Sequence, residues 1–159
     1  MREIYLDHAA STPIRPGVPE AMAPFLGPGG TFGNPSSSHR FGRAAKKALE
    51  EARETVAGLL HCQPKEVCFT SGGTESDNLA VLGAVGALPK ARNGVITCAT
   101  EHPAVLEPCR KLGESGVPLT VLKPRADGRV DPADLQAAIT GSTGFVSLMV
   151  ANNETGVPH

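Results

Sequence analysis

From Pro35 onward the chain alternates long stretches of helical period with short apolar runs, an order that leaves few folds open: β-α units laid on a largely parallel sheet. The clearest helix is predicted from about Ser38 to Leu60. Phe41, Ala45, Ala48, Leu49, Ala52, Val56, Leu59 and Leu60 recur there at helical spacing, while Arg43, Lys46, Lys47, Glu50, Glu51 and Glu54 line the solvated side. Glu66 to Thr70 then reads as a strand, Gly72-Gly73 as a turn, and Thr74 to about Leu88 as a helix. The same alternation predicts a strand over Val95–Cys98, a helix from Pro103 to about Ser115 and a strand over Pro118–Leu122. A turn at Asp127-Gly128, a short helix capped by Asp131 with Pro132 at its first position, and a buried strand over Phe145–Val150 complete the series.

The first 35 residues differ. Thr12-Pro13, Pro16-Gly17 and Gly27-Pro28-Gly29-Gly30 break every period, so residues 1–35 read as an ordered arm and residues 36–159 as one α/β domain. A net charge of −1 on 159 residues, 19% of them charged, gives no footprint for nucleic acid or lipid headgroups. Apolar runs such as Leu79–Val85 are too short to span a bilayer, and Met1 is followed by Arg2, Glu3 and Asp7 in place of a leader core, so a cytoplasmic setting is the default. Cys62, Cys68, Cys98 and Cys109 form no CxxC pair and no zinc-type spacing, and Cys68 and Cys98 read as buried small hydrophobes in strands.

Three segments carry polar chemistry. In Phe69-Thr70-Ser71-Gly72-Gly73-Thr74-Glu75-Ser76 two glycines precede a helix, so backbone N–H groups can approach an anion with no Cβ in the way; a phosphate fits there, and so does a plain cap formed by Thr74 with Asp77. Glu101-His102-Pro103 follows a predicted strand at the carboxyl edge, where open α/β sheets hold ligands. Asn152-Asn153-Glu154-Thr155-Gly156 follows another. A lone histidine or an Asn-Asn pair is commonly just a loop; three such segments at one rim point to a site.

These segments resemble those of a known family. Ile4-Tyr5-Leu6-Asp7-His8-Ala9-Ala10-Ser11-Thr12-Pro13 is similar to the opening of the cysteine desulfurases of the class-V aminotransferase group. Thr31 to Ser37, His39 to Gly42, Thr70 to Asn78, Thr100-Glu101-His102 and Asn152 to Gly156 match in order and at family spacing. The resemblance implies the pyridoxal-phosphate (PLP)-dependent transferase fold of type I, here the first part of its large domain. It implies a homodimeric enzyme that takes sulfur from L-cysteine, leaves L-alanine, and passes the sulfur as a persulfide to an acceptor protein for iron–sulfur clusters or thio-cofactors. It further implies that Gly73 and Thr74 hold the cofactor phosphate, that His102 stacks on the pyridine ring and assists proton transfer, and that Asn153 bonds the ring's phenolic oxygen. Selenocysteine lyases share these motifs.

The family's Schiff-base lysine sits in a Ser-x-His-Lys context, and no such segment occurs among these 159 residues. Lys46, Lys47, Lys65, Lys90, Lys111 and Lys123 all lack that context, and none of the four cysteines sits in the family's nucleophilic loop. The expectation is therefore an N-terminal fragment of the large domain with an unpaired sheet edge, inactive or poorly active alone. A noncatalytic remnant that dimerises with an intact desulfurase, and one half of a split enzyme, are the rival expectations.

Overall fold

The computed structural model describes residues 3–159; Met1 and Arg2, part of the stretch read above for a leader core, lie outside the described residues. The chain divides into two compact units, residues 1–69 and 70–159.

The first unit consists of the arm, a short helix α1 (Val18–Met22) and the long helix α2 (Arg40–Leu60). α2 begins two residues later than its apolar period suggests, because His39 is its cap: the imidazole Nδ1 accepts the Gly42 N–H at 3.2 Å. Gly42 is required by close approach, since a Cβ there would lie 2.3 Å from the Ser37 carbonyl oxygen and 2.6 Å from that of Asn34. At the far end His61 turns left-handed (φ 54°) and the Cys62 N–H closes on the Ala57 carbonyl at 3.0 Å. The arm stays open to solvent, with Ile4, Leu6 and Ile14 all exposed.

The expected strand over Glu66–Thr70 does not form. Pro64–Glu66 is a single 3-10 turn, closed by the Gln63 N–H donating to the Glu66 carboxylate at 2.7 Å. Val67 is extended, but residues 67–70 join no ladder, and the Val67 carbonyl, which a neighbouring strand would use, is taken by the Arg53 guanidinium. The same Arg53 lies 5.1 Å over the Phe69 ring. Cys68 is consequently exposed and outside any strand, whereas Cys98 is buried in one, as expected.

The second unit holds the sheet. Strands β1 (Gly94–Cys98), β2 (Leu119–Leu122) and β3 (Thr143–Val146) are all parallel in the order β2-β1-β3. Helix α3 (Gly73–Ala87) precedes β1, α4 (Pro103–Glu114) links β1 to β2, and α5 (Pro132–Ala138) links β2 to β3. Every residue of β1 is buried, in keeping with an apolar run that only Thr97 interrupts. Val95 packs with Val81, Val85 and Cys109 from α3 and α4. On the opposite face Ile96 and Cys98 pack with Leu122 and Val130. Burying each such large side chain contributes about 1.5–3 kcal/mol. Asp131 caps α5, its carboxylate accepting the Ala133 N–H at 2.7 Å.

The last strand is shorter and wetter than its apolar run Phe145–Val150 implies. It pairs only with β1, Val146 is exposed, and Val150 retains 85% of its surface. Parallel strands read as continuous apolar runs when covered on both faces; this one lies at an edge of the sheet among the described residues.

Candidate functional site

The start of α3 is bare. A Cβ added at Gly72 or Gly73 would meet nothing within 4 Å, so the backbone faces open space. The Gly73, Thr74 and Glu75 N–H groups have no acceptor among the described residues; the first helical bond runs from the Ser76 N–H to the Gly72 carbonyl at 3.1 Å. No side chain caps this helix, so the alternative in which Thr74 and Asp77 form a plain cap is not taken up. Aligned, unpaired amides at the positive end of a 15-residue helix attract an anion. The turn before them is held by Glu75, whose carboxylate accepts the Ser71 hydroxyl at 2.6 Å and the Ser71 N–H at 2.7 Å. Those two bonds, the hydroxyl's first, hold its carboxyl below the ordinary 4.5. The turn is therefore firm above that pH and loosens as pH falls through the lowered value.

His102 caps α4. Its Nδ1 accepts the Ala104 N–H at 3.1 Å, which leaves Nε2 as the ring position that carries the proton in the neutral form. Beside it, Glu101 is buried to 8% exposure, with no hydrogen-bond partner for Oε1 among the described residues. Desolvation pushes its carboxyl above 4.5, helped by Asp77 of α3; the Met149 and His102 peptide groups and the His159 imidazole pull the other way. A raised carboxyl favours the protonated folded state, so its contribution to stability is fully present below about pH 4.5 and is lost as pH rises through the raised value. The melting temperature of the native chain should accordingly fall on going up from pH 4.5, relative to Glu101→Gln, and parallel melting curves for the two proteins would sink that expectation.

The two adjacent asparagines divide their tasks. Asn152 is structural: its Oδ1 accepts the Glu154 N–H at 3.0 Å and the Thr155 N–H at 2.8 Å, and its Nδ2 donates to the Thr100 carbonyl at 3.2 Å. The turn after β3 is thereby tied to the loop after β1. Asn153 stands exposed beside it. Thr74 and His102 line one cleft of about 720 Å³, together with Asn78 of α3 and Pro108 of α4. His102 and Asn153 line a second of about 300 Å³, with Glu101 and Thr155. His102, with Pro103 after it, is thus the shared wall between the helix start and the asparagine turn. Gly73 adjoins Thr74 at the first position of α3 but does not line either cleft. Lys111 lines the far end of the first cleft, about 12 Å along α4 from its start at 1.5 Å per residue, and no lysine lines the second.

These residues suit a phosphorylated pyridine cofactor on their donor chemistry: unpaired amides and a threonine for the phosphate, an imidazole and an amide side chain for the ring. Reading the sequence missed two things. Glu101 carried no role of its own in the sequence, and its burial has no local signal. Pro108 did carry a signal, a proline inside a predicted helix.

The chain is similar to known proteins over nearly its whole length. Cysteine desulfurase IscS of Vibrio campbellii is 50% identical over 155 residues, 97% of this chain and 38% of that protein. The IscS of Dictyoglomus turgidum is likewise 50% identical over 155 residues, covering 98% of this chain and 39% of its own length. The chain therefore spans about two-fifths of the curated relatives it matches. Among solved structures, a NifS-like protein superposes with a TM-score of 0.82 at 35% identity, over 92% of this chain and 40% of that one. SspA, solved in complex with cysteine, gives 0.80 at 36% identity, over 97% and 44%. Residues 4–159 match the Aminotransferase class-V domain, and the chain belongs to that PLP-dependent family, with cysteine desulfurases among its relatives.

Proposed function

We propose that this chain supplies the phosphate side and one ring face of the PLP site of a cysteine desulfurase acting on L-cysteine. The observation that carries the reading is the shared position of His102, which lines one cleft with Thr74 and another with Asn153. Gly73 and Thr74 would hold the cofactor phosphate through unpaired amides and the threonine hydroxyl, and Asn153 would donate to the ring's phenolic oxygen. His102 would lie against the ring and hold or move a proton at Nε2, its Nδ1 being occupied by Ala104. When bound, PLP supplies the electron sink that lets bonds at the substrate's α-carbon break.

The rest of the reading is proposed on the names of the relatives: sulfur leaving as a persulfide to an acceptor protein, a homodimeric whole enzyme, and a cytoplasmic setting. Cysteine is proposed over selenocysteine as the substrate because the relatives are named cysteine desulfurases and SspA was solved in complex with cysteine. We further propose that the chain does not turn over alone, since no lysine stands in the cleft shared by His102 and Asn153.

Equilibrium titration of the purified chain with PLP, followed by PLP absorbance after gel filtration and by alanine release from cysteine, tests this. Saturable binding of PLP, weaker binding of unphosphorylated pyridoxal, and no alanine are the expected result. Equal binding of the two cofactors would overturn the phosphate assignment, and alanine release would overturn the inactivity of the isolated chain.

A further inference from the structure

Pro108 stands in the middle of α4, buried, and the helix runs through it. A proline has no N–H, so the carbonyl four residues earlier, that of Ala104, loses its helical donor. That carbonyl is not left bare. The side-chain amide of Asn78, on α3, donates to it at 3.2 Å and donates also to the Thr74 carbonyl at 2.8 Å. An amide nitrogen has two N–H groups and here meets two carbonyl oxygens, so its orientation is fixed: the flipped amide would set oxygen against oxygen. Ala104 in turn donates its own N–H to His102 Nδ1 at 3.1 Å. A continuous path of hydrogen bonds thus runs from the peptide of Thr74, through Asn78 and the peptide groups of Ala104, to the imidazole of His102.

We propose that Asn78 is a positioning residue, using the carbonyl freed by Pro108 to hold the start of α3 at a set distance from His102. The inference rests on the reading of Thr74 and His102 as cofactor contacts, but the clamp itself exists in the chain without cofactor. Its function is to keep the anion-binding amides and the imidazole in register, so that one ligand with a phosphate and a ring reaches both. A clamp through a side chain is sensitive to a single substitution, whereas the ordinary helical bond it replaces lies wholly within α4.

The substitution of Pro108 separates positioning from stability. Asn78→Ala strands the Ala104 carbonyl and should lower the melting temperature and weaken PLP binding about tenfold or more. Adding Pro108→Ala restores an N–H at that turn of α4, so the double variant should regain the melting temperature while PLP binding stays about tenfold weak. Recovery of both properties in the double variant would show a merely structural role and overturn the proposal, as would PLP affinity within twofold of native in Asn78→Ala. Should Asn78→Ala fail to fold, the double variant carries the affinity measurement. Should the native chain bind no PLP, the proposed function fails while the clamp is still decided, by hydrogen exchange of the Asn78 side-chain amide in the cofactor-free protein. Exchange at least tenfold slower than that of exposed Asn153 supports the clamp, and equal rates overturn it.

Discussion

Gly144→Ala should destabilise the second unit by about 3 kcal/mol or more, the upper range for forcing extra volume where there is no room. A Cβ at this position would lie 1.8 Å from the Arg92 carbonyl oxygen and 2.8 Å from Leu88 Cδ1. The first of those contacts is backbone, so no side-chain rotation relieves it. The crowding comes from the register of β3 on β1: Gly94 pairs with Thr143 but Val95 with Phe145, leaving Gly144 as an extra residue at an irregularity in the ladder. Gly94 shares the constraint, with a Cβ there falling 2.8 Å from the Ser142 carbonyl. Urea denaturation followed by far-UV circular dichroism measures the effect, with Gly141→Ala as control. Nothing lies within 4 Å of a Cβ at Gly141, so that variant should stay within about 0.5 kcal/mol of native. A native-like midpoint for Gly144→Ala would mean that β3 does not sit on β1 in this register.

That irregularity shows where the sequence was silent. Gly94 opens β1 directly, and nothing local says that Gly144, two strands later, makes room for the same crossing. Periodic segments were legible because one physical cause, burial of one face, acts along their whole length. α2 and α4 appear within two residues of their expected limits, and Asp131-Pro132 caps α5 as its residue types dictate. Glu66–Thr70 misled because its β-forming composition does not supply a partner strand. Arg53 and the Gln63–Glu66 pair claim those polar groups first.

The site was legible to a similar depth. Gly72 to Thr74, His102 and the asparagine turn all carry residue types whose chemistry is visible without coordinates, and the structure gathers Thr74, His102 and Asn153 around two adjoining clefts. Adjacent asparagines cannot be told apart by composition, and only the hydrogen bonds show Asn152 as the anchor that presents Asn153. The link between α3 and α4 was hidden for a different reason. It pairs an absence, the missing N–H of Pro108, with a donor 30 positions earlier in sequence at Asn78.

Gly73→Pro should leave the fold intact and weaken PLP binding about tenfold or more. Gly73 is the first residue of α3, the one helical position where proline's fixed φ and missing N–H are tolerated. The extended backbone of Gly72 (φ 166°, ψ −178°) suits a residue preceding proline, and a Cβ at Gly73 meets nothing within 4 Å. Since the Gly73 N–H has no acceptor among the described residues, its loss should change stability by no more than about 0.5 kcal/mol. What disappears is one donor to a doubly charged phosphate, and a hydrogen bond to a charged group contributes about 1.5–3 kcal/mol, roughly tenfold to more than a hundredfold in affinity. Pyridoxal, without the phosphate, should bind the variant and the native chain alike. Loss of affinity for both ligands would locate the damage in the ring subsite. Undiminished affinity for PLP would remove the start of α3 from the phosphate site, leaving His102 and Asn153 to hold the ring without the anion contact that orients it.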